Sequence, residues 1–404
     1  MDRDNPIQVQ KDRISEFPAN VLDNIMGFLP IAEAARTAVL SRIWRDIWFN
    51  LTRLNFDCHF FDYMIKKYSN DCVTASFHII YKVLLQNNGS ILKFVFCLPD
   101  YRLWYGFMTD RSQWRWFDFE QWLLSVTRKG VEEIHLSFKL NRDDYRLPNC
   151  IFSCRTLKSL YLYGVSFEPI HAHSILPNVT SLFFEGVNFC DLMPHVANVP
   201  MLENLSFIQC KSISEFKITA PKLRYLTIKG CDTGSLMPPD TLDIRYTCTL
   251  DFDCASIKEF VEVYNMRDES TALNVGCLRL TGSSAIYSAY NISSDFIYLL
   301  QICPKLCKLD ISLKCAGALS TSFFYTELYT VARSHKMLHT LKLSSFTGSI
   351  SEMHLIKLLL DCFPALEKVI IFSHRKLSGI EEFDTIKELL RFPRVSKKAE
   401  IIYT

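Results

Sequence analysis

The chain has 404 residues, 49% of them hydrophobic, and 45 Lys and Arg against 43 Asp and Glu leave a formal net charge of +2. The apolar content excludes a wholly disordered chain, and the length allows two or three domains. The charge balance gives no electrostatic reason for nucleic acid or a membrane as principal partner, and no apolar run reads as a membrane-spanning helix.

The opening MDRDNP has no apolar signal segment, so a cytoplasmic and/or nuclear protein is expected. The 15 cysteines follow no pairing pattern. In such a chain they read as reduced, buried small hydrophobes, with no structural disulfide.

Residues 1–11 read as a flexible N-terminus. A helix then begins at Pro18, whose missing N–H is no loss in a first turn. Leu22, Ile25, Met26 and Leu29 form one apolar stripe at i, i+3, i+4 and i+7. Pro30 stops this helix. A second covers Ala32–Val39, with Glu33 early and Arg36 later. Ser41 is a suitable N-cap for a third, which sets Ile43 above Ile47 and Trp44 above Trp48. These short helices carry more apolar surface than they can bury among themselves. Periodicity alone would equally allow a plain helical cap on a larger domain.

The strings Phe17-Pro18-x-x-Val21-Leu22-x-x-Ile25, Phe28-Leu29-Pro30, Ala34-Ala35-Arg36-Thr37-x-Val39-Leu40-Ser41 and Trp44-Arg45-x-Ile47-Trp48 weigh against the plain cap. In this order and spacing, residues 12–56 resemble an F-box, the plant families in particular. One departure is Ile43, where those families usually carry a basic residue. The resemblance implies that Pro18, Leu22, Ile25, Leu29, Pro30, Val39, Leu40, Trp44 and Trp48 bind a Skp-type adaptor, and through it a cullin.

Residues 57–130 read as an α/β connection that caps the first repeat, with a helix over Phe117–Val126. Within Tyr101–Trp122, Arg102, Trp104, Tyr105, Arg111, Trp114, Arg115 and Trp116 interleave aromatic and basic side chains. That pattern can bind single-stranded nucleic acid. Asp110, Asp118 and Glu120 offset the charge, so a helix packed on the repeats is the favoured reading.

A repeat follows. Leu157-Lys-Ser-Leu-Tyr-Leu-Tyr-Gly, Val179-Thr-Ser-Leu-Phe-Phe-Glu-Gly, Leu202-Glu-Asn-Leu-Ser-Phe-Ile-Gln and Leu223-Arg-Tyr-Leu-Thr-Ile-Lys-Gly align at intervals of 22, 23 and 21 residues (179−157, 202−179, 223−202). L-x-x-L-x-L at this period is the leucine-rich-repeat pattern. Its leucines point inward along a short strand. Pro177, Pro200 and Pro221 precede units as turn residues, and Cys190, Cys210 and Cys231 follow the strands as core packing. Weak units stand at Leu242-Asp-Ile and Cys277-Leu-Arg-Leu. Later units at Leu306, Leu338 and Leu366 are spaced 32 and 28 residues apart (338−306, 366−338). That leaves room for helices over Phe323–Ser334 and Ser351–Cys362.

Alternate residues of the four regular strands face away from the core. Tyr161, Tyr163, Phe183, Ile208 and Tyr225, bordered by Glu185 and Lys229, are therefore candidates for binding a target protein. Residues 344–404 resemble the FBD region that ends many plant F-box/leucine-rich-repeat proteins. The strings that match are Ser345-Phe-Thr-Gly, Leu366-Glu-Lys-Val-Ile-Ile and Leu390-Arg-Phe-Pro-Arg-Val-Ser.

The expected architecture is α/β. An N-terminal three-helix F-box (12–56) leads through 57–130 to an irregular leucine-rich-repeat solenoid with a concave parallel sheet (131–343). An FBD-like cap (344–404) closes it. No glycine-rich phosphate loop, G-x-S-x-G or H-E-x-x-H is present. His171 with His173, or His335 with His339, could ligate a metal, but nothing completes either site. No catalytic residue, metal or cofactor is expected. The resemblance implies a substrate receptor of a Skp–cullin–F-box ubiquitin ligase. The alternative is an interaction scaffold without ligase assembly.

Overall fold

The computed structural model describes residues 14, 16–99, 113–138, 146–148, 150–167, 176–189, 195–211, 216–231, 248–253, 272–281, 293–319, 324–374 and 379–404. It forms two compact units, Met1–Arg142 with Pro148–Gly164 and Asp143–Leu147 with Val165–Thr404. The expectations for 1–11, His171, His173, Cys190 and Leu242-Asp-Ile lie outside the described residues.

The first unit opens with α1 (Ala19–Phe28), α2 (Ile31–Thr37) and α3 (Arg42–Phe49). Punctuation by proline separates the first two. Leu29 is extended at ψ 148°, as a residue before proline must be. Pro18 and Pro30 stand at the N-caps of their helices instead of inside them. The second helix stops two residues short of its expected end. The N–H groups of Val39 and Leu40 bond the carbonyls of Arg36 and Thr37 as turns, at 3.2 and 3.0 Å. Ser41 caps α3 as expected, its hydroxyl accepting from the Trp44 N–H at 3.4 Å.

A parallel sheet continues the unit through β1 (Arg53–Phe56), β2 (Lys93–Leu98), β3 (Glu133–Phe138) and the strand Ser159–Tyr163. Parallel neighbours need crossovers. Helices α4 (Cys58–Tyr68) and α5 (Cys72–Gln86) form the first, and helix Gln113–Arg128 the second. Phe119, Trp122 and Val126 of that last helix are buried, so its apolar face packs inward. Aromatic rings fill the space between layers. Phe96 lies 4.9 Å from Phe119 and 5.7 Å from Phe138, and Phe77 lies 4.6 Å from Trp122. Residues 101–112, and the side chains of Trp114, Arg115 and Trp116, lie outside the described residues.

The three N-terminal helices are tied directly to this sheet. Asp23 on α1 accepts from Thr52, Asn87 donates to the Leu51 carbonyl at 2.8 Å, and the Asn88 N–H donates to the Phe49 carbonyl at 2.7 Å. A Cβ on Gly89 would stand 3.1 Å from both Cα and O of Asn50. Only glycine lets these two backbones approach so closely.

Among the described residues, the main sheet of the second unit runs through nine parallel strands in chain order, from Ser181–Glu185 to Glu400–Tyr403. Leu182, Leu205, Leu226, Leu250, Leu278, Leu309, Leu341, Val369 and Ile401 stand side by side across it. One inward aliphatic position repeated on every strand is the defining feature of a leucine-rich-repeat solenoid. Where the repeat is short, a second two-stranded parallel pair (His195–Asn198 with Phe216–Thr219) accompanies it. Where it lengthens, helices Ser293–Ile302, Phe324–Ala332, Ile350–Cys362 and Gly379–Arg391 appear. The two expected helices are among these, within two residues at each described end.

Strand ends show a regularity that the letters only hinted at. Gly164, Gly186, Gln209 and Gly230 have φ of 65°, 59°, 52° and 61°, and they stand at the last position of each aligned string. Glycine adopts this left-handed turn freely, and glutamine does not. The thiols of Cys210 and Cys231 then reach back to the Phe184 and Phe207 carbonyls at 3.3 and 3.7 Å. That is the core-packing role expected of them. Cys315 corrects the expectation of fully reduced cysteines, since it is disulfide-bonded. A pairing made by the fold leaves no trace in sequence spacing.

The FBD-like region also has a local explanation. Gly348 turns the chain at φ 83°. Ser349 then caps helix Ile350–Cys362, and Glu352 completes a capping box. The Glu352 carboxylate accepts from Ser349 N–H at 3.0 Å, Thr347 N–H at 2.9 Å and Thr347 hydroxyl at 2.9 Å. The string Ser-Phe-Thr-Gly is thus half of a helix start.

Candidate functional site

Two surfaces carry the residues singled out from the sequence. On the N-terminal helices the expected apolar stripe divides in two. Leu22 and Met26 point inward, and so do Trp44 and Ile47 on α3. Leu22 is 1% exposed and Trp44 9%. This corrects their assignment as adaptor contacts, because they are the core that holds α1 and α3 together. Outward stand Ile25, Phe28, Val39, Leu40 and Ile43, with Phe28, Val39 and Leu40 at 81%, 78% and 75% exposure. Pro18 and Pro30 are exposed, and Leu29 and Trp48 half-buried. Phe28 and Ile43 were not among the sequence candidates. Ile43 sits next to the inward Trp44 and Phe28 two residues after the inward Met26, and only the observed helix rotation assigns them outward.

Val39 and Trp48 also line a cavity of about 360 Å³ with Tyr63, Met64 and Lys67. The Lys67 ammonium beside the Tyr63 hydroxyl holds that phenol below its usual pKa, and Arg36 adds to the effect. Arg36 is itself paired with Glu33 at 2.7 Å. The cavity therefore has an apolar floor and a basic rim.

On the sheets, the predicted parity is observed. In all four regular strands the leucine-pattern residues are buried, and Tyr161, Tyr163, Phe183, Glu185, Ile208, Tyr225 and Lys229 are outward. Tyr161 packs on His135 in the first unit, with ring centroids 4.1 Å apart. In the second unit, register brings Glu185, Ile208 and Lys229 into one row and Ser181, Asn204 and Tyr225 into another. Phe183 shares its row with Ser206 and Thr227, so Phe183 and Tyr225 are not direct neighbours. Lys229 donates to Asp251 at 2.9 Å. That partner was not visible in the sequence, because Asp251 lies in a unit with no recognisable leucine pattern.

Of the suggested metal pairs, His335 and His339 do not converge. His335 is buried against Phe363, while His339 is exposed and bonded to Thr340 at 2.9 Å. Among the described residues, no group of three metal-ligating side chains is found and no helix is long and apolar enough to cross a membrane.

Short helices with outward apolar side chains, and a ladder of parallel strands, both fall within segments that match known domain families. Residues 14–55 match the model of the F-box domain, and residues 119–249 match the model of the leucine-rich repeats of FBD-associated F-box protein At5g56370. The chain is similar over nearly its whole length to two Arabidopsis thaliana proteins. F-box/FBD/LRR-repeat protein At1g13570 is 26% identical over 97% of this chain and 98% of the relative. F-box/FBD/LRR-repeat protein At5g56420 is 23% identical over 97% and 99%. F-box/LRR-repeat protein At3g59200, also of Arabidopsis thaliana, is 37% identical over 49% of this chain and 36% of its own length. The relatives and domain matches support a receptor-type role, and none of the matched domains is catalytic.

Proposed function

We propose that this chain is the substrate-recognition subunit of a Skp–cullin–F-box ubiquitin ligase, acting in the cytoplasm or nucleus. The F-box docks on a Skp-type adaptor, and the outward face of the strands holds a target protein. The observation that carries this reading is the apolar group Ile25, Phe28, Val39 and Leu40, exposed on a domain too small to bury it. An exposed cluster of this kind marks a protein interface, and truncating a central anchor commonly costs about 2 kcal/mol or more of binding. The receptor itself breaks no bond. It raises the effective concentration of a target lysine near a ubiquitin thioester.

Replacing Val39→Asp together with Leu40→Asp tests the reading. Co-purification of a Skp-type adaptor should be lost while the melting temperature stays near that of the parent protein. Leu22→Arg cannot serve, because it places a charge in the domain core and unfolds it. Undiminished adaptor capture by the double variant refutes the assignment.

A further inference from the structure

The outward face of the second unit changes character along the sheet. Beyond the regular repeats, one row reads Asp251, Arg279, Asp310, Lys342 on four successive strands. Lys229 joins it from the strand before. Its Nζ lies 2.9 Å from Asp251 Oδ2. Arg279 Nη1 is 3.7 Å from the same oxygen, and its Nε is 3.2 Å from Asp310 Oδ2. Lys342 Nζ is 3.7 Å from Asp310 Oδ2 and 4.9 Å from the Phe372 ring centroid. Charge alternates across five strands.

The two signs are not equally accessible. Asp251 and Asp310 are buried, and the three cations are partly exposed. Asp251 Oδ1 is buried without a hydrogen-bond partner. The aspartates thus anchor the cations from beneath, and three cations share two anions. An ammonium has three donors and a guanidinium five, so these side chains retain donors that face outward. Lys308 and Lys368 stand in the adjoining row. Exposed Glu400 faces Lys368 at the end of that row, so the cations a partner meets are Lys229, Arg279, Lys342 and Lys308, although the chain as a whole is near neutral.

We propose that this row binds an extended acidic segment of the recruited protein, whose carboxylates sit between Lys229, Arg279 and Lys342. The proposal rests on the receptor reading above and names the chemistry of the target. Charge-assisted bonds to fixed donors are the strong kind, and the aspartates hold the donors in place before the partner arrives. A protein segment fits better than a nucleic-acid strand. Asp251 and Asp310 are two strands apart, about 10 Å. A continuous phosphate chain would pass over both, whereas a peptide can space its carboxylates to meet only the cations.

The test uses the full chain and a fluorescent peptide of alternating Glu and Gly, followed by anisotropy. The triple change Lys229→Gln, Arg279→Gln, Lys342→Gln should weaken binding at least about tenfold, and added salt should do the same. Lys357→Gln, on an exposed helix position, should leave binding unchanged. If the triple variant melts early, Lys342→Gln alone gives the reading, with a smaller loss expected. Equal binding by the charge variants, equal binding of a Gln–Gly peptide, or tighter binding of oligothymidylate each overturns the proposal. Failure of the unaltered protein to bind the peptide, with adaptor capture intact, refutes the acidic-segment proposal alone. Failure of the unaltered protein to capture the adaptor, with peptide binding intact, refutes the ligase reading alone.

Discussion

The Asp23 carboxylate on α1 accepts two hydrogen bonds from Thr52, one from its backbone N–H at 2.9 Å and one from its hydroxyl at 2.5 Å. These residues are 29 positions apart in the chain, and their contact joins the first helix to the start of β1. Asp23→Ala leaves the Thr52 N–H without its acceptor. It should lower stability by about 2 kcal/mol, the range for hydrogen bonds to a charged group. Thermal unfolding of Asp23→Ala, Thr52→Ala and the double variant would measure the coupling. Additive losses would show that the two residues do not act together.

Gln209 holds a left-handed backbone that glycine occupies in the flanking repeats. Gln209→Gly should therefore stabilise the protein, by roughly 0.5–1 kcal/mol once the greater freedom of glycine in the unfolded chain is subtracted. Gly186→Gln should do the reverse. A rise in denaturation midpoint for the first change and a fall for the second is the expected pair.

Glu352→Ala should be more damaging than a surface helix change. Its carboxylate satisfies three donors at once and is buried. A loss of about 2 kcal/mol or more is expected, beyond that of a simple cap. Faster amide exchange at Thr347 and Ser349 should accompany it.

Burial pushes the His335 ring below the usual histidine pKa, partly offset by the Leu300 backbone. The folded state therefore binds the proton less well than the unfolded state. Stability is full above the unfolded value of about 6.5 and falls as pH drops through it toward the lowered folded value. His335→Leu should flatten the dependence of melting temperature on pH between about 7 and 5. Unchanged slope in that variant would assign the effect elsewhere.

Alkylation of unreduced, denatured protein should modify Cys58, Cys72, Cys154, Cys210, Cys231, Cys303 and Cys362, none of which is disulfide-bonded, and spare Cys315. Cys362 is a poor nucleophile in the folded protein. Burial beside Asp361 raises its thiol pKa to about 12, so denaturation should be needed for its reaction.

Local patterns carried the fold a long way. Three helices with proline and serine punctuation, and strands with leucine at fixed intervals, are short-range signals that survive without tertiary context. β1 and β2 escaped because RLNF is too short to show a period, and KFVFCL alternates without the leucine spacing. Exposure was harder to read. Leu22 and Ile25 are both apolar and three residues apart, yet one is core and the other surface. A hydrophobic stripe wider than its partner leaves an edge uncovered, and its width depends on the packed neighbour. The charged row was hidden for a related reason. Lys229, Asp251, Arg279, Asp310 and Lys342 are spread over more than a hundred positions, and only the register of the strands makes them neighbours.

The alternation of buried and outward residues, interrupted where Ser206 of the outward row is buried, has a bearing on how such a protein can diversify. Inward positions answer to the solenoid, so exchanges there are punished by cavity or strain. Outward positions of the regular repeats carry less of that packing constraint. A lineage can therefore alter the outward surface of these strands, with little risk to folding. That freedom ends at Ser206, Asp251 and Asp310, where the outward side chain is itself buried. Drift should be slower there than at Phe183 or Tyr225.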